Sequence, residues 1–274
     1  MVVSASSEVA VSEYTIERGR AVRERMDLLA SAHAPGTLVL LDMLGVPSGA
    51  RCLDLGCGGG HVTMELARRA GASGSVLGID LDEELLGIAR SEAAAQRLRN
   101  VTFRAAPVET LSEADFDVAY ARMLLEHVSN PAGIVALMTA ALKPGGIVIV
   151  EDTQFSGCFT EPACPAYDQW VGWFKETVRR TGGDLDIGPR LPALLRGSGL
   201  AEIGVRVAQP AYLNGPVKQL QQLSMEKIRT SVLGYGIATA TEFDRAHSDL
   251  KAFTNDPTTL VASPRMIQAW GRRQ

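Results

Sequence analysis

The chain has 274 residues, 46% of them hydrophobic and 21% charged, with a formal net charge of −4. This is the composition of an ordinary globular protein with enough chain for a substantial core. The slight acidity, without any run of Lys or Arg, argues against a nucleic-acid or anionic-membrane partner. No stretch approaches a membrane span, and residues 1–14 lack the basic start and apolar core of a signal peptide. The four cysteines (Cys52, Cys57, Cys158 and Cys164) form neither a disulfide framework nor a ligand cluster. A reducing cytoplasm and no metal are the expectation.

From about Ile16 to Leu44 the pattern is helical. Val22, Met26, Leu29 and Ala30 share a face, Leu38 to Leu44 form a second apolar stretch, and Pro35-Gly36 breaks the two. Arg51 to Leu55 reads as a buried strand running into Gly56-Cys57-Gly58-Gly59-Gly60, followed by a helix from about His61 to Ala70 that Gly71 ends. Val76 to Ile79 is a second buried strand, ending on Asp80. Asp82 is a suitable N-cap for a helix from Glu83 to Leu98, whose acidic start suits the helix dipole. Asn100 to Phe103 and Phe116 to Ala121 are the third and fourth strands. Leu142-Lys143-Pro144-Gly145-Gly146 makes a tight turn into a fifth, Ile147 to Val150, which ends at Glu151-Asp152.

Beyond Thr153 the pattern loosens. Residues 153–186 gather Phe155, Phe159, Tyr167, Trp170, Trp173 and Phe174 in a chain that is only 5% aromatic. Trp170 and Phe174 share a helical face, which suits an inserted helix that serves as a lid and lines an apolar pocket, or the core packing of a cap helix, or both. Leu191 to Gly199 is a short helix, and Ile203, Val205 and Val207 alternate as a sixth strand. Pro216 opens a helix to about Arg229, and Thr241-x-x-Asp244 resembles a capping box for another. A last strand from about Thr259 to Trp270 carries Pro264, which calls for a bulge or an edge position.

The glycine turn and Asp80 carry the chemistry. Glycines let a backbone approach a ligand closely, and the helix that follows offers unpaired N–H groups. A carboxylate at the tip of the next strand, about twenty residues on, can accept both hydroxyls of a ribose. The pair reads as a nucleoside site at the carboxyl ends of parallel strands. A dinucleotide fingerprint would need a third glycine where His61 stands, so a nicotinamide oxidoreductase is disfavoured. Asp54 would repel a pyrophosphate, but it can receive an ammonium group or, through water, a sulfonium.

This stretch resembles motif I of the class I S-adenosylmethionine-dependent methyltransferases, roughly acidic-x-Gly-x-Gly. Arg122-Met123-Leu124-Leu125-Glu126-His127 is similar to the Arg-x-x-Leu-Glu-His stretch of small-molecule members, and the Lys-Pro-Gly-Gly turn is also typical. The resemblance implies a Rossmann-like α/β fold: a seven-stranded, mostly parallel sheet with an antiparallel last strand, helices on both faces and helical lid insertions. Residues 1–274 are then one domain, with a helical cap (1–45), a cofactor-binding core (46–152), a lid insertion (153–188), and C-terminal strands with a helical insertion (189–274).

The resemblance also implies S-adenosyl-L-methionine as cofactor, with S-adenosyl-L-homocysteine as product. Its contacts are expected at Asp54, Gly56, Gly58, Asp80 and Leu81, the last covering an adenine face. The Val108 amide, the Ala121 carbonyl and Arg122 are expected to add further contacts. An aspartate that family members place in the adenine turn is replaced here by Pro107. N-terminal helices of the family close over the site, which makes Tyr14, Arg20 and His33 candidates to reach the ligand. His127, Asp152 and Tyr167 are candidate general bases, needed only for an acceptor that must lose a proton. The acidic chain and aromatic lid favour a neutral small-molecule substrate, a secondary metabolite, with O-, N- and C-methylation all open. Lids of this kind can mediate a homodimer. Two rival readings are a non-methylating step such as cyclisation on the same fold, and a non-catalytic cofactor-binding regulator.

Overall fold

A computed structural model describes residues 20–274, with side chains from residue 25 onward. Tyr14 and the side chain of Arg20 lie outside the described residues. The strands in chain order are β1 (Arg51–Leu55), β2 (Ser75–Asp80), β3 (Val101–Ala105), β4 (Phe116–Arg122), β5 (Leu142–Gln154), β6 (Phe159–Glu161), β7 (Ala201–Ala208), β8 (Ala211–Tyr212), β9 (Leu260–Ala262) and β10 (Arg265–Arg272). The helices are α1 (Arg20–Leu44), α2 (His61–Ala70), α3 (Glu83–Ala95), α4 (Pro131–Ala141), α5 (Pro165–Arg180), α6 (Leu191–Gly197), α7 (Leu220–Lys227), α8 (Arg229–Gly234) and α9 (Ala240–Asn255).

Seven strands form one sheet in the order β3-β2-β1-β4-β5-β10-β7. The first five are parallel, and β10 runs antiparallel to both β5 and β7. The strands are near-continuous apolar runs because both faces are covered. On one face Leu53, Leu55, Ala119, Val148 and Val150 pack toward α4 and α6. On the other, Cys52, Val118, Tyr120 and Ile149 meet Leu40 and Leu41 of α1 and Leu66 of α2. From β1 the chain winds outward through β2 and β3, then returns to add β4 on the other side. The carboxyl ends of β1 and β4 therefore flank a switch point, where such sheets leave a crevice.

Several expected features differ. α1 runs unbroken through Pro35. Its lost hydrogen bond is outweighed because burial pins both flanks, Ala32 and His33 on one side and Leu40 and Leu41 on the other. The Lys143-Pro144-Gly145-Gly146 turn is a bulge inside β5, between the pairs Phe116–Leu142 and Val118–Ile147. β5 also continues beyond Asp152 to Gln154, because β10 pairs along its whole length, Ile267 opposite Asp152. The single last strand is two strands. Ser263-Pro264 separates β9, the middle of a small antiparallel sheet β6-β9-β8, from β10 in the main sheet. The expected 216–229 helix is divided into a 3-10 turn, α7 and the start of α8. The capping box falls two residues early. Thr239 Oγ1 accepts from the Glu242 N–H, and the Glu242 carboxylate accepts from the Thr239 N–H, a reach that suits Glu better than the shorter Asp244.

Helices α5, α7, α8 and α9 bury a second core of their own, built on Tyr167, Trp170, Met225, Val232, Phe243 and Leu250. Trp173 stacks on Phe243 with ring centroids 5.6 Å apart. Lys218, almost wholly buried, ties this layer together. Its Nζ donates to the carbonyls of Leu213 (3.0 Å), Asp256 (2.5 Å) and Thr259 (2.7 Å) and to Thr259 Oγ1 (2.8 Å).

Candidate active site at the switch point

A cavity of about 720 Å³ opens over the carboxyl ends of β1, β2 and β4 and extends beneath α5 and α7. At its first end the backbone is set by glycines. Gly56, Gly58 and Gly60 hold φ of 68°, 50° and 76°, the left-handed region that side chains resist. A β-carbon on Gly60 would also lie 2.9 Å from Ala89 and Phe103. The Asp80 carboxylate anchors this turn: Oδ2 accepts from the Gly58 N–H (2.8 Å) and Oδ1 from the Asp82 N–H (3.0 Å). Each oxygen keeps a lone pair for a ligand hydroxyl. Asp82 caps α3 through Oδ1, which accepts from Glu84 and Leu85, while its Oδ2 is buried without a partner.

Asp54 is buried in β1 and accepts a 2.6 Å bond from the Thr63 hydroxyl. Burial raises its pKa to about 7, against the opposing effect of that bond and of Arg122. Arg122 is a cation at this end. Its Nη1 donates to Thr37 Oγ1 (3.1 Å), and Thr37 donates to Glu151 Oε1 (2.9 Å). Glu151 also receives Tyr120 OH and, at 2.5 Å, Gln268 Nε2. This network fixes α1 to the sheet and aims the guanidinium. Next to it Met123 adopts a φ of 55° and donates its N–H to the Glu151 carbonyl (2.8 Å). A non-glycine residue held in that region is local strain beside the cavity.

Of the expected cofactor contacts, Asp54, Gly56, Gly58, Asp80, Leu81, Val108 and Arg122 all line the cavity, as does His33 of α1. The Ala121 side chain packs into the core on the α4 side, while Tyr120 and Arg122 face the cavity, and the contact expected of Ala121 is its backbone carbonyl. His33 is buried, and desolvation, then the Arg122 charge, lowers its pKa to about 3, so it is neutral.

The three candidate bases part company. Tyr167 is fully buried, donates its hydroxyl to the Ala262 carbonyl (2.8 Å), and does not line the cavity. Asp152 does not emerge into a loop. It is buried within β5, where its oxygens accept the N–H groups of Leu125 and Glu126, both at 3.2 Å. Burial, then the Glu126 charge, holds its carboxyl well above the usual carboxylate range. It braces the turn that carries His127. His127 itself lines the cavity, its Nε2 3.3 Å from Glu126 Oε1. Burial and the charges of Lys227 and Arg25 lower its pKa to about 3, and burial raises that of Glu126 to about 7. Thr153 Oγ1 lies against both Glu126 Oε2 and the Leu185 carbonyl (3.1 Å). Its one proton satisfies only one of them, so the other bond draws on a proton held by Glu126.

Sequence reasoning passed over Glu126 and Thr63, whose work is done through Thr153 and Asp54, and it read Asp82 only as a helix cap. The second end of the cavity is apolar, walled by Phe155, Trp170 and Phe174. Trp170 and Phe174 stack at 6.3 Å, and Phe155 meets Phe174 edge-on at 5.3 Å.

Residues 47–181 match the family model of a methyltransferase domain. A ubiquinone biosynthesis O-methyltransferase of Acinetobacter baumannii is 39% identical over 104 residues, 37% of this chain and 43% of that protein. The chain thus spans less than half the length of the curated relatives it matches. Among solved structures, the YcgJ protein of Bacillus subtilis superimposes with a TM-score of 0.60 at 16% identity, over 88% of this chain and 100% of that one. A phosphoethanolamine N-methyltransferase of Haemonchus contortus, solved with phosphomonomethylethanolamine and S-adenosylhomocysteine, gives 0.55 at 18%, over 88% of this chain and 53% of that one. At such identities these two likenesses speak for the fold.

Proposed function

We propose that the chain, whose residues 47–181 match a methyltransferase domain, methylates a neutral small-molecule acceptor, a secondary metabolite, at oxygen with S-adenosylmethionine as the methyl donor. The observation that carries this reading is the single cavity, which joins the glycine turn and Asp80 to an aromatic wall, with room for a nucleoside and an acceptor side by side. Its volume lies within the usual range for ligand sites, about 300–1,000 Å³. The printed name of the 39%-identical relative, an O-methyltransferase, supports oxygen as the atom methylated. The whole chain is taken as one catalytic unit, with residues 153–188 as its lid.

The residues present fit the cofactor. Asp80, which lines the cavity, has spare lone pairs for ribose hydroxyls. When bound, S-adenosylmethionine supplies an activated methyl group on a sulfonium. The chain's own task is to align and to exclude water, which contributes on the order of 7–11 kcal/mol in favourable cases. Asp54 and Arg122 hold the zwitterionic end, the carboxylate of one drawing an ammonium and the guanidinium of the other a carboxylate. Leu81 covers an adenine face, and Val108 offers its amide to the ring. His127, which lines the cavity and is neutral at physiological pH, offers the ring nitrogen placed to receive the acceptor's hydroxyl proton.

Incubation of the purified chain with S-adenosylmethionine and a panel of phenols, anilines and carboxylic acids tests the proposal by mass spectrometry. O-methylated phenols that vanish with Asp80→Ala are expected. Products only from anilines or acids, or cofactor binding with no methylated product at all, would reject it.

A further inference from the structure

Arg122 at the end of β4 and Glu151 on β5 are register partners, so a cation and a carboxylate stand opposite each other on adjacent strands. Opposite charges so placed attract strongly and would ordinarily close into an ion pair. Among the described residues, no ion pair joins these two. The Thr37 hydroxyl of α1 stands between them instead, accepting from Arg122 Nη1 at 3.1 Å and donating to Glu151 Oε1 at 2.9 Å.

The carboxylate is fully engaged without the guanidinium. Thr37, Tyr120, Glu151 and Gln268 are all buried. Glu151 Oε1 also receives Tyr120 OH, and Oε2 receives Gln268 Nε2 at 2.5 Å. Gln268 is itself fixed through its oxygen, which accepts from Arg206 Nη1 at 2.6 Å. Three neutral donors thus occupy Glu151. Arg122, in contrast, is half-buried and lines the cavity, and among the described residues it hydrogen-bonds to Thr37 alone, through one nitrogen. Its remaining donors keep the planar fork that a carboxylate meets with two parallel bonds. His33, one turn before Thr37 on the same helix, is neutral and adds no competing charge.

We propose that Thr37 is a positioning residue that holds Arg122 apart from Glu151 and so reserves the guanidinium for the carboxylate of the bound cofactor. The identity of that ligand rests on the methyltransferase reading. A direct Arg122–Glu151 pair would neutralise this part of the site, and an incoming carboxylate would have to break it. With the hydroxyl interposed, the guanidinium is aimed while its charge stays uncommitted.

The test is calorimetric titration of the full chain with S-adenosylhomocysteine and with its decarboxylated analogue, which keeps the ammonium and lacks the carboxylate. The wild type is expected to prefer S-adenosylhomocysteine by at least about tenfold. Thr37→Val should remove most of that preference, with affinity for the analogue within about twofold and the melting temperature little changed. Thr37→Ser, which returns a hydroxyl, should restore it. Thr37→Ala, which suits a helix, gives the same reading if the valine variant does not fold. The proposal is overturned if the folded variant without a hydroxyl keeps the preference, if it weakens both ligands alike, or if Thr37→Ser fails to restore the preference. Arg122→Met separates this proposal from the cofactor reading and should abolish the preference by itself. A preference that survives Arg122→Met, or no binding by a folded wild type, would count against the cofactor site and Thr37 together. Loss with Arg122→Met but not with Thr37→Val would count against Thr37 alone.

Discussion

The two ends of the cavity are built by different means. The nucleoside end is made of short local stretches: a glycine turn with three positive φ values, a carboxylate one strand away, and a cap on the next helix. The aromatic end is assembled from α5, α7 and the Ser263-Pro264 link, segments up to about a hundred residues apart, and is held by a core of its own. Backbone conformation fixes the first, whereas side-chain packing and one buried lysine fix the second. An end set by backbone geometry can bind the same ligand in many chains, while an end set by packing can be rebuilt around a different acceptor.

Substitutions at each end test that separation. The largest effect is expected from Lys218→Met, which leaves the carbonyls of Leu213, Asp256 and Thr259 without their donor. A loss of about 4 kcal/mol in denaturant unfolding is expected, with affinity for S-adenosylhomocysteine within twofold of wild type. A variant that folds but loses the cofactor as well would merge the two ends into one unit.

His127→Asn should lower kcat for a phenolic acceptor by about 10²–10³-fold and leave cofactor affinity untouched. An unchanged kcat would assign the histidine to packing.

Glu126 gives a pH signature. Its pKa is raised by burial from the usual carboxylate range to about 7, so the native state keeps a proton that the unfolded chain releases. The stabilisation is complete below the unfolded value and is lost as pH rises through the folded one. Between pH 5 and 8 the wild type should therefore lose about 2 kcal/mol, roughly 5 °C of melting temperature, relative to Glu126→Gln, which has no proton to release. Parallel melting curves would show that Glu126 is ionised throughout.

The smallest effect is expected at Leu81, which lines the cavity but is half exposed. Leu81→Ala should weaken cofactor binding about threefold through lost apolar contact, as read by titration.

The same contrast explains what the sequence disclosed. β1, α2 and the Asp82 cap stand where the residues placed them, because the information is local: apolar runs, glycines and a capping side chain. Asp80 ends β2 where the local pattern placed it, and the seven-stranded, mostly parallel sheet with an antiparallel last strand is as the family resemblance implied. Pro35 misled because local propensity breaks a helix that tertiary burial carries through. Tyr167 and Asp152 looked available because nothing local announces that Ala262 or the 125–126 amides would occupy them. Gln221 was invisible, since its bond to Ser263 exists only where α7 meets the β9–β10 link. The β9–β10 division was hidden because Pro264 fits a bulge as well as a change of sheet.

Asp80 and the glycine turn form the proposed cofactor site, and calorimetric titration with S-adenosylhomocysteine is the decisive measurement. Micromolar binding by the wild type, weakened about a hundredfold or more in Asp80→Ala while the variant keeps its fold, is the predicted result. Equal affinity in both proteins, or no binding by a folded wild type, would contradict it.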